Sequence, residues 1–380
     1  VKLRVLHCIY DSLPNPWLAG GGAVRVHEVY RRLAEDVDVT VATGRFPGAR
    51  DAVVDGVRYV RLGAPKPYAW SRLTFARAAS RLLRTADFDA AISDFSVYTP
   101  VSVPTGRPVG LIVHMLMGPT AEQRWGRVLG PAVRAFERRQ LSRARWVSGV
   151  SRFTIEQVRP HAPAGAYLEV IPNGVPQQLF SIRRAESDFL LYFGRFDVQQ
   201  KGLDTLLSAV ALLAMERPSV RLRMVGRGKD AGRLPAMIRE LGIENNVDVQ
   251  PGLPQAEAFR LFAGALALLM PSRFEGLPIV AIEGMAAGVP VVASAVGALP
   301  EVLCAPRAGR VVPPDDPRAL ADAIDALLGD GDTRATISAE ARRVARKYSW
   351  DAVAAQHLRF LQRIAADARG VMPFPPCSRP

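Results

Sequence analysis

The stretch 271-PSRFEGLPIVAIEGMAAGVP-290 decides how the rest of the chain reads. It carries two carboxylates, Glu275 and Glu283, eight positions apart. The apolar run Leu266–Met270 before it predicts a buried strand, ended by Pro271 and Ser272. Glu275-Gly276-Leu277 reads as the loop at that strand's C-terminal end. Pro278 suits the first position of a helix, where a missing N–H costs nothing. The helix is predicted over Ile279–Ala287, stopped by Gly288 and Pro290. Glu275 then lies just ahead of the helix and Glu283 in its second turn. Between them lie free amides and the positive end of a helix dipole, a seat for phosphate. Carboxylates for hydroxyls and amides for phosphate suit a ligand that has both. On spacing alone, a helix cap beside a solvated glutamate fits equally.

Upstream, Phe189–Gly194 predicts a strand, and a helix begins near Leu203. The loop between them, GRFDVQQKG, carries Arg195 and Lys201. Two cations held in one strand-to-helix loop can stabilise negative charge developing on a phosphate-bearing ligand without a metal. Val220–Val225 is a further strand, followed by Gly226-Arg227-Gly228-Lys229. The next glycine, Gly232, falls one place late for a dinucleotide fingerprint, and no acidic residue is clearly placed for a ribose, so NAD or FAD binding is not expected. Asn246–Gln250 leads to Gly252 and Leu253; downstream, strands at Val289–Ser294 and Arg310–Val312 and helices at Pro317–Leu328 and Arg334–Tyr348 continue the alternation.

A second strand–helix series precedes this one. Leu3–Tyr10 predicts a strand, Asp11–Gly22 a turn-rich loop with Asn15, Trp17 and Gly20-Gly21-Gly22, and Val24–Leu33 a helix. Glycines before a helix start let backbone approach phosphate, or make a flexible turn. Val37–Ala42, a hairpin over Val53–Leu62, helix Ser71–Leu83 and strand Asp89–Ser93 follow. Strand Arg107–His114 ends on His114, and ligands of open parallel sheets bind at that end, although a lone His is commonly structural. Ala121–Arg145 reads as a basic amphipathic helix, packed by one face or lying on an anionic membrane. Trp146–Val150 is a strand with Ser151 capping the next helix. The turn VIPNGV and the polar segment Gln177–Ser187 separate the two series.

Composition narrows the class. The 380 residues have room for two domains, and an apolar share of 49% supports full cores. The formal charge of +13, nearly all from arginine, suits anionic substrates or a negative membrane surface. No compact basic run with interleaved aromatics and no zinc spacing points to nucleic acid. Asp36/Asp38, Asp87/Asp89 and Asp330/Asp332 mimic Asp-x-Asp metal sites but read as solvated turns, so no metal is expected. Cys8, Cys304 and Cys377 suggest a reducing compartment. No signal peptide or spanning run is seen, so the expectation is a cytoplasmic protein with peripheral contact at the inner membrane face.

The central stretch resembles the family-4 glycosyltransferases, whose Glu-x7-Glu pattern matches Glu275 and Glu283, and the resemblance runs along nearly the whole chain. It implies an α/β GT-B fold: two Rossmann-like doubly wound parallel-sheet domains facing each other across a cleft. It places an N-terminal acceptor-side domain at 1–172, completed by a crossover helix at 351–370, a donor domain at 173–350, and a loose tail at 371–380. It implies a retaining hexosyl transfer from a nucleotide-diphosphate sugar, UDP- or GDP-linked, to a lipid, glycan or small natural product. No cofactor or metal is required. Arg195 and Lys201 would hold the diphosphate, with amides of Gly276 and Leu277 and the helix after Pro278 beside them. Glu275 would bind sugar hydroxyls, Glu283 the ribose, Gly226 and Leu253 the nucleotide, Gly21 and Gly22 the diphosphate side, and His114 the transferred sugar. Internal return, with the leaving oxygen helping to deprotonate the acceptor, fits because no nucleophile can be assigned. Two departures stand out: Pro278 where many members have Gly, and Pro176 where most have Asp. A catalytically silent partner subunit, a sugar-nucleotide epimerase and a phosphorylase are the rival readings.

Overall fold

Leu3–Cys8 alternates its side chains between two covered faces. Val5 joins one apolar cluster, and Leu6 and Cys8 join another on the opposite side. That pattern is what a strand buried on both faces requires. The computed structural model describes residues 2–17, 20–118, 121–253, 255–304 and 307–370; the tail assigned to 371–380 lies outside them. The chain divides into one unit of Val1–Asn173 with Trp350–Pro380 and a second of Gly174–Ser349.

In the first unit the strands are β1 (Leu3–Cys8), β2 (Val37–Gly44), β3 (Ala52–Val54), β4 (Val57–Leu62), β5 (Ala90–Asp94), β6 (Val109–Val113), β7 (Trp146–Gly149) and β8 (Tyr167–Val170). Their order is β3-β4-β2-β1-β5-β6-β7-β8, parallel except for the β3–β4 hairpin. Helix Gly21–Arg32 covers one face with Val26, Val29 and Tyr30. Helix Trp350–Ala368 lies in the same cluster through Trp350, Val353, Phe360 and Ile364. The other face is covered by helix Tyr68–Thr85, through Phe75, Ala79 and Leu83, and by Leu141.

The second unit holds β9 (Phe189–Phe193), β10 (Arg221–Gly226), β11 (Val247–Pro251), β12 (Leu268–Met270), β13 (Val291–Ser294) and β14 (Gly309–Val312). All are parallel, in the order β11-β10-β9-β12-β13-β14. Strand order reverses between β9 and β12, the switch point where neighbouring loops diverge and ligands bind.

Several local expectations need correction. Helix Gly21–Arg32 begins within the glycine run, with Gly20 as its N-cap, so Gly21 and Gly22 form its first turn rather than a loop. Helix Ile279–Ala287 has the expected limits, but Pro278 is its N-cap and not its first residue. β8 had no alternating signal and was not expected. The basic helix ends at Leu141 and is kinked at Gly126. Asp89 is no solvated turn: it accepts the Arg4 amide at 2.9 Å and pairs with Arg4 and Arg369. Asp330 caps helix Gly331–Ala345. Among the described residues no acidic, His or Cys group has the geometry to hold a metal ion, and no helix is long and apolar enough to cross a membrane.

Candidate active site

In the second unit the loops that follow β9 and β12 are locked together. Gly202 sits at φ +60°, and a Cβ there would stand 2.0 Å from the Pro271 carbonyl oxygen. Arg273 donates its amide to the Gln200 carbonyl at 2.9 Å and pairs its guanidinium with Asp204 and Asp315. Lys201 is not in a loop, as its sequence setting suggests. It ends a short helix, Val198–Lys201, whose N-cap Asp197 accepts the Gln200 amide at 3.0 Å. That turn aims Lys201 at β12, where its Nζ donates to Glu275 Oε1 at 2.5 Å. Ser272 Oγ donates to the same oxygen at 2.7 Å. Both charged side chains are largely covered, 15% and 8% exposed, so the pair feels a lower dielectric than water. Arg195 is exposed and donates to the Gln200 side chain at 3.1 Å.

The helix start is open. The amides of Gly276, Ile279 and Val280 have no hydrogen-bond partner among the described residues, and Pro278 supplies none. Glu283 lies in the second turn, partly covered, and its side chain has no hydrogen bond or ion pair among the described residues. Burial pushes its carboxyl up to about 7. Gly226 and Gly228 answer to packing. A Cβ on either would stand 1.8 Å from the Gly194 carbonyl oxygen or 2.2 Å from that of Phe196. The glycines of this loop therefore admit the neighbouring loop, which is a reason for them independent of any dinucleotide. Arg227 donates to the Gly252 carbonyl at 3.2 Å, next to Leu253.

In the first unit His114 follows β6 directly, and its Nε2 stands 3.6 Å from Asp94 Oδ1 at the end of the neighbouring strand β5. His7 Nε2 approaches the same oxygen at 3.6 Å. His7 Nδ1 and His357 Nε2 both meet the Tyr30 hydroxyl, at 2.9 and 3.2 Å. Burial pushes Asp94 up, but the facing His114 and His7 outweigh it and hold its carboxyl well below the usual range. Gly22 faces this group, 3.9 Å from both His114 Nε2 and Asp94 Oδ2 as measured from the position of an added Cβ. Cys8 is buried nearby, its thiol pushed up to about 12 by burial and by Asp94.

Of the positions singled out in the sequence, His114 and Gly22 lie beside Asp94 in the first unit, and Lys201, Glu275 and Glu283 lie around the loop after β12 in the second, where the fold brings Lys201 to Glu275. The sequence reading did not single out Asp94, Gln200 or Ser272, which contact His114, Arg195 and Glu275 respectively. Asp94 carried a usable signal, because it ends β5 as His114 follows β6. Leu277 is buried, and Gly21 lies at the helix start beside Gly22.

Comparison with known proteins places these features in a family. Family models match residues 19–179, described as Glycosyltransferase Family 4, and residues 177–344, described as Glycosyl transferases group 1. The chain is 32% identical over 329 residues to an MMP α-(1→4)-mannosyltransferase of Mycolicibacterium hassiacum, covering 80% of this chain and 77% of that protein. It is 28% identical to a phosphatidyl-myo-inositol mannosyltransferase of Mycolicibacterium smegmatis, covering 90% of this chain and 91% of that protein. In fold it is similar to a sucrose-phosphate synthase of Thermosynechococcus elongatus, with a TM-score of 0.81 at 21% identity over 96% of this chain and 100% of that one. It is likewise similar to Anabaena Alr3699/HepE in complex with UDP and glucose, with a TM-score of 0.72 at 16% identity over 95% and 100%.

Proposed function

The chain belongs to the family-4 glycosyltransferases, and from that premise we propose that it transfers a hexose from a nucleotide-diphosphate sugar to an acceptor hydroxyl with retention at the anomeric carbon. The observation that carries this is the Lys201–Glu275 pair at the switch point, beside a helix start with free amides. Lys201, Arg195 and the amides of Gly276, Ile279 and Val280 neutralise the departing diphosphate, so no metal is needed. The ribose hydroxyls donate to Glu283. Glu275 accepts hydroxyls of the transferred sugar. His114, at the end of β6 in the first unit, offers an imidazole beside Asp94 to a sugar hydroxyl. The acceptor hydroxyl attacks the face the diphosphate leaves, and the leaving oxygen takes its proton, which accounts for retention without a protein nucleophile. The names of the mannosyltransferase relatives support a hexosyl donor, and the UDP-bound neighbour supports a nucleotide-linked one.

Calorimetric titration with UDP, GDP, dTDP and ADP, repeated on Glu283→Ala, tests the donor site. Binding of one nucleotide, weakened at least tenfold in the variant, is the expected outcome. Absence of binding to all four would leave the silent-partner reading as the better one, and products formed from donor alone would favour the epimerase. The exposed Val128 and Leu129 on the basic helix Ala121–Leu141 support contact with an anionic membrane, where a lipid acceptor would be met.

A further inference from the structure

We propose that the cavity of the first unit takes an acceptor bearing a phosphate, and that Arg72 holds that phosphate; this rests on the glycosyltransferase reading above. The cavity, about 210 Å³, is lined among others by Tyr10, Arg72, Asp94, Ser96, Thr99 and His114. At roughly 30 Å³ per water it has room for about seven waters, the size of one hydroxylated ring. Arg72 is fixed in place from several sides. Its Nε donates to the Tyr98 carbonyl and the Thr99 hydroxyl, both at 2.9 Å, and its Nη1 donates to the Tyr68 hydroxyl at 2.5 Å. Its guanidinium carbon stands 4.9, 5.4 and 5.3 Å from the ring centres of Tyr10, Tyr68 and Tyr98.

These contacts hold the plane of the guanidinium but do not neutralise it. No carboxylate pairs with Arg72 among the described residues, whereas Arg4, Arg32 and Arg273 each have two. Both Nη2 hydrogens and one on Nη1 have no partner among the described residues. A planar fork with its orientation already set matches the paired oxygens of a phosphate. The cavity also holds two carboxylates. Asp94 faces His7 and His114, and Asp11 accepts the amides of Ser12 and Gly20. Arg72 thus brings to the cavity a guanidinium edge that no carboxylate pairs with among the described residues, while Asp94, Ser96 and His114 line the same cavity as groups for hydroxyls. An acceptor with a phosphate beside its hydroxyls fits both parts. Such a phosphate can belong to a soluble sugar or cyclitol phosphate, or to a lipid headgroup.

The full chain, with its nucleotide site saturated by the nucleoside diphosphate so that Lys201 and Arg195 do not report, is titrated calorimetrically with glucose 6-phosphate, glucuronate and glucose. Sedimentation with phosphatidylinositol vesicles, against phosphatidylcholine vesicles, forms the second arm. Glucose 6-phosphate is expected to bind at least tenfold more tightly than glucose, or phosphatidylinositol vesicles to capture the chain where phosphatidylcholine vesicles do not. The first result names a soluble source and the second a lipid. Arg72→Met is expected to abolish the preference at unchanged nucleotide affinity. Arg72→Lys, which keeps the charge but not the planar fork, retains part of it. Equal binding of all three sugars with no vesicle capture, a preference for glucuronate alone, or a preference that survives Arg72→Met would overturn the assignment. Loss of nucleotide binding in the wild type would instead refute the donor reading, so the two failures are distinguishable.

Discussion

Replacing Glu283 with Gln should stabilise the protein at alkaline pH and leave it unchanged in acid. The Glu283 carboxyl is pushed from 4.5 up to about 7 by burial. A raised carboxyl means that the native state binds the proton more tightly than the unfolded chain does. Stability therefore falls as pH rises from 4.5 to about 7 and stays low above it. At about 1.36 kcal/mol per unit, the full difference is about 3.4 kcal/mol. The side chain is partly exposed, so about 2 kcal/mol is the realistic share. For a unit of this size that raises Tm by about 4–8 °C. Calorimetric scans of wild type and Glu283→Gln at pH 5 and pH 8 read it directly. The reasoning fails if the difference between the two proteins is the same at both pH values, or if the variant is the less stable at pH 8. Nucleotide binding supplies the complementary sign. Ribose hydroxyls donating to Glu283 favour its ionised form, so binding near pH 6 should release a proton. Affinity should rise with pH up to about 7 and be flat above it. The variant should bind about tenfold or more weakly, with no proton release.

Glu275→Ala and Lys201→Ala should each lower turnover by about 10²–10³, while the double variant is no worse than the poorer single one. Losses that multiply in the double variant would show that the pair does not act as a unit. Gly202→Ala should cost more than about 2 kcal/mol, because it adds left-handed strain to a clash with the Pro271 carbonyl; a Tm within about 1 °C of wild type refutes the interlock. Asp94→Asn should lower turnover about tenfold or more, since Asp94 faces His114, with nucleotide affinity unchanged; an equal loss of nucleotide affinity would point to general misfolding. Turnover should survive excess EDTA, and its abolition would restore a metal to the mechanism.

What was legible in the sequence was local. Helix Ile279–Ala287 is bounded by a proline and a left-handed glycine, both of which act through their own backbone, and so Glu283 could be placed in its second turn. The parallel alternation exposed His114, because the end of a strand is a position that can be read from an apolar run. What failed was short or distant. Helix Val198–Lys201 is too brief for any periodicity, and its capping residue Asp197 resembled ordinary loop chemistry. The Lys201–Glu275 contact joins residues 74 apart, through a crossover that no local signal encodes. Arg72 lies on a helix with Arg77, Arg81 and Arg84, and only the packing of Tyr10 and Tyr98 against it sets it apart. Asp89 was misread because a neighbouring pair of aspartates looks the same whether it faces water or two arginines.

The Lys201–Glu275 pair is not a lock that a donor must break. Glu275 commits only Oε1, which accepts from both Lys201 and Ser272. Its Oε2 has no partner among the described residues and remains available to a sugar hydroxyl. An ammonium has three N–H groups, and Lys201 uses one of them here, leaving two for phosphate oxygens. A sugar diphosphate can therefore add to the pair without separating it. Separation would leave two largely covered charges uncompensated, at a cost of several kcal/mol. Keeping the pair intact spends that energy once, on folding, and presents carboxylate and ammonium already oriented. Charge that develops on the diphosphate then meets a fixed cation, and no reorganisation is needed at the moment of transfer.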